Sequence, residues 1–200
     1  MLKRLKPCIE NATDLRVFEI GCADGVVLRA LDTHFKKYIS TMVGIDTSPE
    51  MIEVATKTNG SISSFYLRGS EPATISDLIL EIGVINYADV STDIVYVHNR
   101  LSERGVYVLS IAGYDSLNAR FGHGKGYNNF LSYKEYEALI QKYFVIDVVV
   151  PVGLYIPFIW RIPFIALPVQ YVFECLFTPF VPNLFHEKIY FLKKKLDTHP

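Results

Sequence analysis

A short stretch near the N-terminus combines a carboxylate with small residues in an order that suits a ligand site. In V17-F-E-I-G-C-A-D-G25, an apolar run predicts a strand, Glu19 lies near its end, and Gly21, Ala23 and Gly25 follow at alternate positions. Small side chains let the backbone approach a ligand closely, and the N–H groups at the start of the next helix would point at it. The stretch therefore predicts a ligand-binding loop.

A second carboxylate, Asp46, ends the next predicted strand, twenty-five residues after Gly21. A carboxylate in that place can accept hydrogen bonds from both hydroxyls of a ribose. The dinucleotide fingerprint G-x-G-x-x-G is not met, because its last glycine would fall at Val26. This departure argues against a nicotinamide cofactor. A nicotinamide-dependent reductase stays as an alternative, since it would share the strand, the loop and the acidic residue.

Predicted strands alternate with predicted helices along the chain, which indicates a parallel sheet covered on both faces. Strands are predicted at residues 16–20, 41–45, 62–67, 78–84, 106–111, 144–150 and 188–193. Helices are predicted at residues 26–35, from 49 after the N-cap Ser48, at 92–101, and from the capping box Ser132-x-x-Glu135 to about Tyr143. We therefore predict one α/β domain over residues 1–200, with a Rossmann-like, seven-stranded and mainly parallel sheet.

Composition narrows the classes of partner. Twenty basic and 21 acidic residues give a net charge of -1, which lacks the basic surplus that nucleic-acid binding requires. Cys8, Cys22 and Cys175 are odd in number and show no C-x-x-C spacing, so neither a disulfide framework nor a metal site is predicted. No apolar signal-peptide core follows the basic residues of the N-terminus, and we expect a reducing, cytoplasmic location.

The segment 153–182, between the last two predicted strands, is unusually apolar. Only Arg161 and Glu174 are charged, and five prolines interrupt it. Its apolar stretches are shorter than the ~20 residues that a membrane-spanning helix needs. We expect an insertion of short apolar helices that forms a cap over the substrate, a homodimer contact or an anchor on a membrane surface.

The two carboxylate-bearing stretches together resemble a known family. E19-I-G-C-A-D-G25 and V43-G-I-D46-T-S-P-E-M are similar to motifs I and II of class I S-adenosylmethionine (SAM) dependent methyltransferases, in the group with the ubiquinone-biosynthesis and MetW-type enzymes. The similarity continues through D77-L-I-L-E-I-G-V-I and R104-G-V-Y-V-L-S-I to about Val150, about three quarters of the chain. It implies SAM as the cofactor and methyl transfer to a small molecule, and the apolar insertion favours a partly hydrophobic acceptor.

The resemblance also implies roles for single residues. Glu19 and the loop 21–25, which includes Cys22 and Ala23, would lie beside the methionyl part of SAM. Asp46 would bind the ribose, and Thr47 and Met51 would lie near the adenine. Family members often carry an adenine-binding acidic residue after the third strand, where this chain has Arg68-Gly69-Ser70, so Ser70 would take its place. The histidine that relatives carry after strand four is absent from Ile85-Asn86-Tyr87.

Methyl transfer from a sulfonium is an in-line displacement with an activated donor, so the protein mainly aligns the reactants and excludes water. For a hydroxyl acceptor we name His123 as the general base, because histidine titrates near neutrality. A surface histidine without a catalytic role is the alternative. Glu81 either faces the cofactor from the fourth strand or is a buried structural carboxylate. A non-catalytic SAM-binding or membrane-surface protein on the same fold is the alternative function.

Overall fold

One sheet of seven strands organises the chain. The computed structural model describes residues 2–10, 12–60, 63–116, 119, 126–153, 164, 168–169, 171–172, 176 and 180–195. The strands are β1 (Leu15–Ile20), β2 (Ile39–Asp46), β3 (Ser64–Leu67), β4 (Ser76–Glu81), β5 (Leu101–Ala112), β6 (Phe144–Val152) and β7 (Glu187–Lys194). Their order is β3-β2-β1-β4-β5-β7-β6, and neighbours are parallel except where β7 is involved. The predicted Rossmann-like, mainly parallel sheet is confirmed.

Helices cover both faces of this sheet. They are α1 (Leu2–Glu10), α2 (Val26–Phe35), α3 (Pro49–Asn59), α4 (Val90–Arg100) and α5 (Tyr133–Ile140). Side chains of α1 and α2 share one buried core with the β1 residue Val17, whereas side chains of α4 and α5 share a second core with the next residue, Phe18. Successive strand residues point to opposite faces, so each strand supplies both cores.

Side-chain caps fix where the helices begin. The Ser48 hydroxyl accepts a hydrogen bond from the Met51 N–H at 3.2 Å, which starts α3 with Pro49 in its first turn. The predicted capping box at the start of α5 is present, with the Glu135 carboxylate accepting from the Ser132 N–H at 2.8 Å. The helix predicted at residues 26–35 has the bounds of α2.

Several predicted bounds need correction; for example, β5 starts at Leu101 and not at residue 106, and α5 ends at Ile140 and not near Tyr143. The fourth strand ends at Glu81, not at 84, because Gly83 has a φ of +73° and donates its N–H to the Ser110 hydroxyl at 2.7 Å. Helix α4 starts at Val90, two residues before the predicted start at Thr92. The Asp89 carboxylate accepts from the Thr92 N–H and so caps this helix. The N-terminal helix α1 was not predicted at all, although its residues Leu5 and Ile9 are fully buried.

Much of the apolar segment 153–182 lies outside the described residues. Residues 164, 168–169, 171–172 and 176 are helical, which agrees with the expected short apolar helices. Its role as a cap, and the treatment of residues 1–200 as one domain, stay predictions. In the part of the chain that the structure describes, no helix is both long and apolar enough to cross a membrane.

Candidate functional site

The loop after β1 has a backbone that few residues other than glycine adopt. Gly21 and Gly25 have φ angles of +67° and +77°. A Cβ at Gly21 would overlap Cγ2 of Val84, and a Cβ at Gly25 would lie 2.8 Å from Nδ2 of Asn59. Both glycines are therefore required by the backbone conformation and by the lack of space. The predicted freedom of a ligand to approach Gly21 is limited on one side by Val84.

Hydrogen bonds tie this loop to the end of β2. The Ala23 N–H donates to Oδ2 of Asp46 at 3.0 Å, and the Cys22 N–H donates to the Ile45 carbonyl at 2.9 Å. Ala23 has a φ of +44°, an unfavourable value for a residue with a Cβ. The bond to Asp46 helps to hold that conformation. The loop and Asp46, which lie twenty-three residues apart in sequence, form one unit.

Asp46 is fixed from two directions. Its Oδ2 accepts from Ala23, and its Oδ1 accepts from the Ser48 N–H at 2.9 Å. The side chain is half-buried. A carboxylate has about four lone-pair positions, so these two bonds leave acceptor capacity on both oxygens. Asp46 is thus an immobilised, partly exposed acceptor for a pair of ligand hydroxyls.

Glu19 lies behind the loop with only 2% of its surface exposed. Its Oε2 is buried and has no hydrogen-bond partner among the described residues. Burial raises the pKa of Glu19 to about 8, and the charges of Asp24 and Asp46 contribute further. An unpartnered buried carboxyl group is costly. A cationic group of a ligand would satisfy it.

Cys22 lies in the same loop but has no reactive thiol. It is buried, and burial raises its pKa to about 12, with further contributions from Glu19 and Asp46. The thiolate, which is the nucleophilic form, is therefore not populated near neutral pH. A Cβ at Gly44 of β2 would lie 2.9 Å from the Cys22 Sγ, so Cys22 fills space against that strand.

Three further predicted residues lie at the same edge of the sheet, after β2 and β3. Thr47 is exposed directly after Asp46. Met51 is exposed in the first turn of α3. Ser70 is exposed in the turn after β3, where its hydroxyl donates to the Leu67 carbonyl at 2.7 Å. That bond uses the donor of Ser70 within its own turn, and its oxygen can still accept.

Glu81 is not brought together with these residues. It pairs with Ile20 across β1 and β4, so its side chain points to the opposite face of the sheet from Glu19. There it is fully buried and accepts a hydrogen bond from the Tyr107 hydroxyl. Burial raises the pKa of Glu81 to about 8, and the neighbouring charge of Asp93 raises it further. These contacts favour the structural alternative for Glu81.

The positive charge of Arg68 offsets the charge of the buried carboxyl groups Glu81 and Asp93 on this face of the sheet. Its guanidinium forms an ion pair with Asp93, which is 1% exposed at the start of α4, and lies 5.4 Å from the centre of the Tyr96 ring. The residue that follows β3 is therefore directed into the protein interior. In the stretch Arg68-Gly69-Ser70, Ser70 is therefore the residue whose polar side chain is exposed at the surface.

The remaining predicted residue, His123, lies outside the described residues.

The sequence analysis did not identify the roles of two residues at this edge. Asn86 is buried in the turn after β4, and its amide donates to the Ala112 carbonyl at 2.8 Å and accepts from the Ala112 N–H at 3.1 Å. These bonds join the turn to the end of β5. Glu187 starts β7 opposite Ala112, and burial raises its pKa. No sequence pattern marks either role, since both depend on which strands become neighbours.

Comparison with known proteins shows which solved structures share the fold of this chain. No protein-family model matches the chain, and no curated protein sequence matches it significantly. Solved structures do match it.

One matching chain belongs to the complex of the Haloferax volcanii Trm112 methyltransferase activator with a methyltransferase; it has a TM-score of 0.72 at 15% identity, over 100% of this chain and 90% of that one. Geranyl diphosphate C-methyltransferase from Streptomyces coelicolor, solved with Mg²⁺, geranyl diphosphate and S-adenosyl-L-homocysteine, has a TM-score of 0.69 at 13% identity, over 96% and 79%. The N-methyltransferase NodS from Bradyrhizobium japonicum, with S-adenosyl-L-homocysteine, has a TM-score of 0.63 at 15% identity, over 98% and 85%. At these identities the similarity shows a shared fold.

Proposed function

We propose that the protein is a SAM-dependent methyltransferase. The observation that carries this proposal is the pair of carboxylates at one edge of the sheet: Asp46, held by the Ala23 and Ser48 N–H groups, and the buried, unpartnered Glu19 behind the loop. SAM has two ribose hydroxyls and, at its other end, a cationic ammonium group. The two carboxylates match these groups in type and order. The methyltransferases of the same fold that were solved with S-adenosyl-L-homocysteine (SAH) support this choice.

In this proposal each residue of the site binds or positions the cofactor. Glu19 accepts from the ammonium group, and the loop 21–25, with Cys22 packed beneath it, supports the methionyl part. Asp46 binds the ribose. Thr47, Met51 and Ser70 border the adenine. Bound SAM supplies a methyl group that is already activated, so the protein has to align the acceptor with it and exclude water.

Glu81 is left out of this set. Its contacts to Tyr107 and the charge of Asp93 give it a structural role on the other face of the sheet, and we do not assign it to the cofactor.

A hydroxyl acceptor would need a proton acceptor, and two residues are proposed. His123 is proposed from the sequence alone. Glu187 is proposed from its place at the start of β7, opposite Ala112 at the end of β5, and from its burial, which raises its pKa and so makes its carboxylate a stronger base. Replacement of each by an amide or by alanine should lower the rate of transfer without loss of SAM binding if that residue is the base.

The acceptor itself is proposed only by class. The apolar composition of 153–182 supports a small acceptor with a hydrophobic portion, covered by this segment as a cap, in a protein of the cytoplasm. The MetW-like subgroup is part of the same proposal. From the composition of 153–182, a second copy of the chain and a membrane surface are further proposed partners of this segment.

Calorimetric titration of the purified protein with SAH, and in parallel with NADH, tests the proposed function. We expect saturable binding of SAH with a micromolar dissociation constant and no heat of binding for NADH. The opposite pattern would replace the methyltransferase by the nicotinamide-dependent reductase. Binding of SAH without transfer from SAM to any acceptor would favour the non-catalytic SAM-binding alternative.

A further inference from the structure

Three aromatic rings cluster beyond the ends of β4 and β5. The ring centres of Tyr87 and Tyr127 lie 5.2 Å apart with the planes at 87°, and those of Tyr127 and Phe130 lie 5.4 Å apart with the planes at 70°. We call these three residues the aromatic corner. Tyr87 is 54% exposed, whereas Tyr127 and Phe130 are half-buried. Rings that meet nearly at right angles form the walls of a corner, and the exposure of Tyr87 leaves this corner accessible to a ligand.

Backbone hydrogen bonds fix the segment that follows Tyr127. The Asn129 N–H donates to the Asn86 carbonyl at 2.9 Å, and the Tyr114 N–H donates to the Leu131 carbonyl at 3.0 Å. Residue 86 lies in the turn after β4, and residue 114 lies just after β5. The aromatic corner is therefore tied to the carboxyl ends of two neighbouring parallel strands.

Glu187 lies at the same edge, at the start of β7 and opposite Ala112 at the end of β5. It is half-buried, and no hydrogen bond or ion pair joins its carboxyl group to any of the described residues. The charge of Glu187 contributes, after burial and the neighbouring Tyr87, to the raised pKa of Tyr127. The carboxyl group is thus within electrostatic range of the aromatic corner. A half-buried carboxylate without a partner is costly, and a cation would satisfy it.

Lys188, the cation next to Glu187 in the chain, does not neutralise it. Successive residues of a strand point to opposite faces, so Lys188 is directed away from the Glu187 side chain. Its ammonium group donates to Oδ1 of Asn183 at 2.6 Å and lies 3.6 Å from Oε1 of Glu137. The negative charge of Glu187 therefore remains available to a ligand.

The order of the strands places the aromatic corner beside the proposed cofactor site. Asp46 ends β2, Glu19 lies near the end of β1, and β4 and β5 follow on the side away from β2. In SAM the sulfonium lies between the ribose and the amino-acid part. An acceptor that approaches it from the neighbouring strands meets the loops after β4 and β5, which carry the aromatic corner.

We propose that the methyl acceptor is an amine, which binds in its ammonium form between the aromatic corner and Glu187. Aromatic faces and a carboxylate both attract a cation. A neutral hydroxyl acceptor would leave Glu187 without a charged partner, and a carboxylate or phosphate beside the reacting atom would be repelled by it. This inference names the acceptor class for the proposed methyltransferase and rests on that function.

The transfer balances with the loss of one proton. The bound ammonium gives a proton to the Glu187 carboxylate, and burial, which raises the pKa of Glu187, favours this step. The nitrogen lone pair then forms a bond to the methyl carbon of SAM as the C–S bond breaks, and the electron pair of that bond goes to sulfur, which gives SAH. The methylated ammonium leaves, and Glu187 returns its proton to water.

Ligand-observed NMR titrations of the full-length protein saturated with SAH test the proposal. The probes are 1-hexylamine, 1-hexanol and hexanoate, which share the alkyl chain and are cationic, neutral and anionic near neutral pH. We expect hexylamine to bind roughly tenfold or more tightly than hexanol, the scale of a charge-assisted contact. Hexanoate should bind most weakly of the three. Mass spectrometry after incubation with SAM identifies which probe accepts the methyl group.

Two substitutions assign this preference to the aromatic corner and Glu187. Tyr87→Leu removes an aromatic face but keeps an apolar side chain, and it should lower the affinity for hexylamine about fivefold. Glu187→Gln should lower it about tenfold or more. Both variants should bind SAH like the wild type. The matched controls lie at the opposite edge of the sheet: Tyr38→Leu just before β2 and Glu103→Gln at the start of β5 should bind hexylamine like the wild type.

The outcomes separate this inference from the function on which it rests. SAH binding with hexanol bound as tightly as hexylamine would overturn the amine acceptor alone. A preference for hexylamine that both substitutions leave intact would also overturn it, and so would transfer from SAM to hexanol but not to hexylamine. Absence of SAH binding would overturn the proposed methyltransferase and, with it, the aromatic corner as an acceptor site.

Discussion

Gly21 and Val84 are in such close contact that a Cβ at position 21 would overlap Cγ2 of Val84. Gly21 directly follows β1 and Val84 lies three residues after the end of β4, and β1 and β4 are neighbours in the sheet. The contact closes one side of the loop 21–25. Gly21 is therefore held by a steric limit as well as by its positive φ angle, and substitutions there should affect folding and ligand binding together.

This relationship predicts the outcome of a double-mutant cycle. Gly21→Ala should lower the free energy of unfolding by roughly 1–3 kcal/mol, because it combines an unfavourable φ with overpacking. Val84→Ala in the same chain should recover part of that loss, since it removes the overlapping methyl group. Urea denaturation of the wild type, both single variants and the double variant measures the coupling. Strictly additive effects would contradict the contact.

The raised pKa of Glu19 predicts that binding of SAH releases a proton. Without ligand, the pKa of Glu19 is raised to about 8, so the group is mostly protonated at pH 7. An ammonium group beside it would favour the ionised form and lower this pKa. Affinity should therefore rise as the pH increases from 6 to 8. Calorimetry at pH 7 in two buffers of different ionisation enthalpy counts the protons, and Glu19→Gln should abolish the release and weaken binding. A wild-type titration without proton release would refute this role.

Glu81 predicts a change of stability with pH that is independent of the ligand. Its folded-state pKa, about 8, lies above the ordinary value of 4.5, so its contribution is fully present below pH 4.5 and is lost as the pH rises through 8. The slope for one such group is about 1.4 kcal/mol per pH unit in that window. Glu81→Gln should remove this part of the slope of unfolding free energy against pH between 5 and 8, whereas the similar part that comes from Glu19 should remain. The affinity of the Glu81→Gln variant for SAH should match the wild type, and a large loss of affinity would return Glu81 to the cofactor site.

The buried hydrogen bonds of Asn86 predict that its substitution lowers stability. Its amide bonds both the N–H and the carbonyl of Ala112 in the interior. Asn86→Ala would leave these groups without partners and should lower the free energy of unfolding by about 1–3 kcal/mol. Asn128→Ala is the control, because that residue is exposed and donates to the Tyr87 carbonyl. Thermal unfolding compares the two variants, and equal losses would mean that Asn86 has no special role.

Much of the fold could be predicted because its signals are local. The helix at residues 26–35, the N-cap Ser48 and the capping box of Ser132 follow from side chains a few residues apart, and the structure has all three. The helix α1 escaped prediction because it is short and contains Pro7 and several basic residues. Its apolar positions only become informative once the face of the sheet that they cover is known.

The location of the candidate site could also be predicted from local signals, whereas some of its contacts could not. The order of Glu19, the glycine loop and Asp46 in the sequence places them at one edge of a parallel sheet, where the structure has them. The face to which Glu81 points depends on the register of β4 against β1. The contact of Val84 with Gly21 likewise depends on how the chain turns after β4. Such facts belong to tertiary structure and leave no local pattern.

The most direct test of the account is the affinity of Asp46 variants for SAH. Asp46→Ala removes the acceptor of the ribose hydroxyls and should weaken binding by about 1.5–3 kcal/mol, the scale of charge-assisted hydrogen bonds. Asp46→Asn, which can still accept from Ala23 or Ser48, controls for disruption of the loop and should also bind less tightly, and Asp32→Ala on α2 should bind like the wild type. A folded Asp46→Ala protein with unchanged calorimetric affinity would contradict the assignment of this edge as the SAM site.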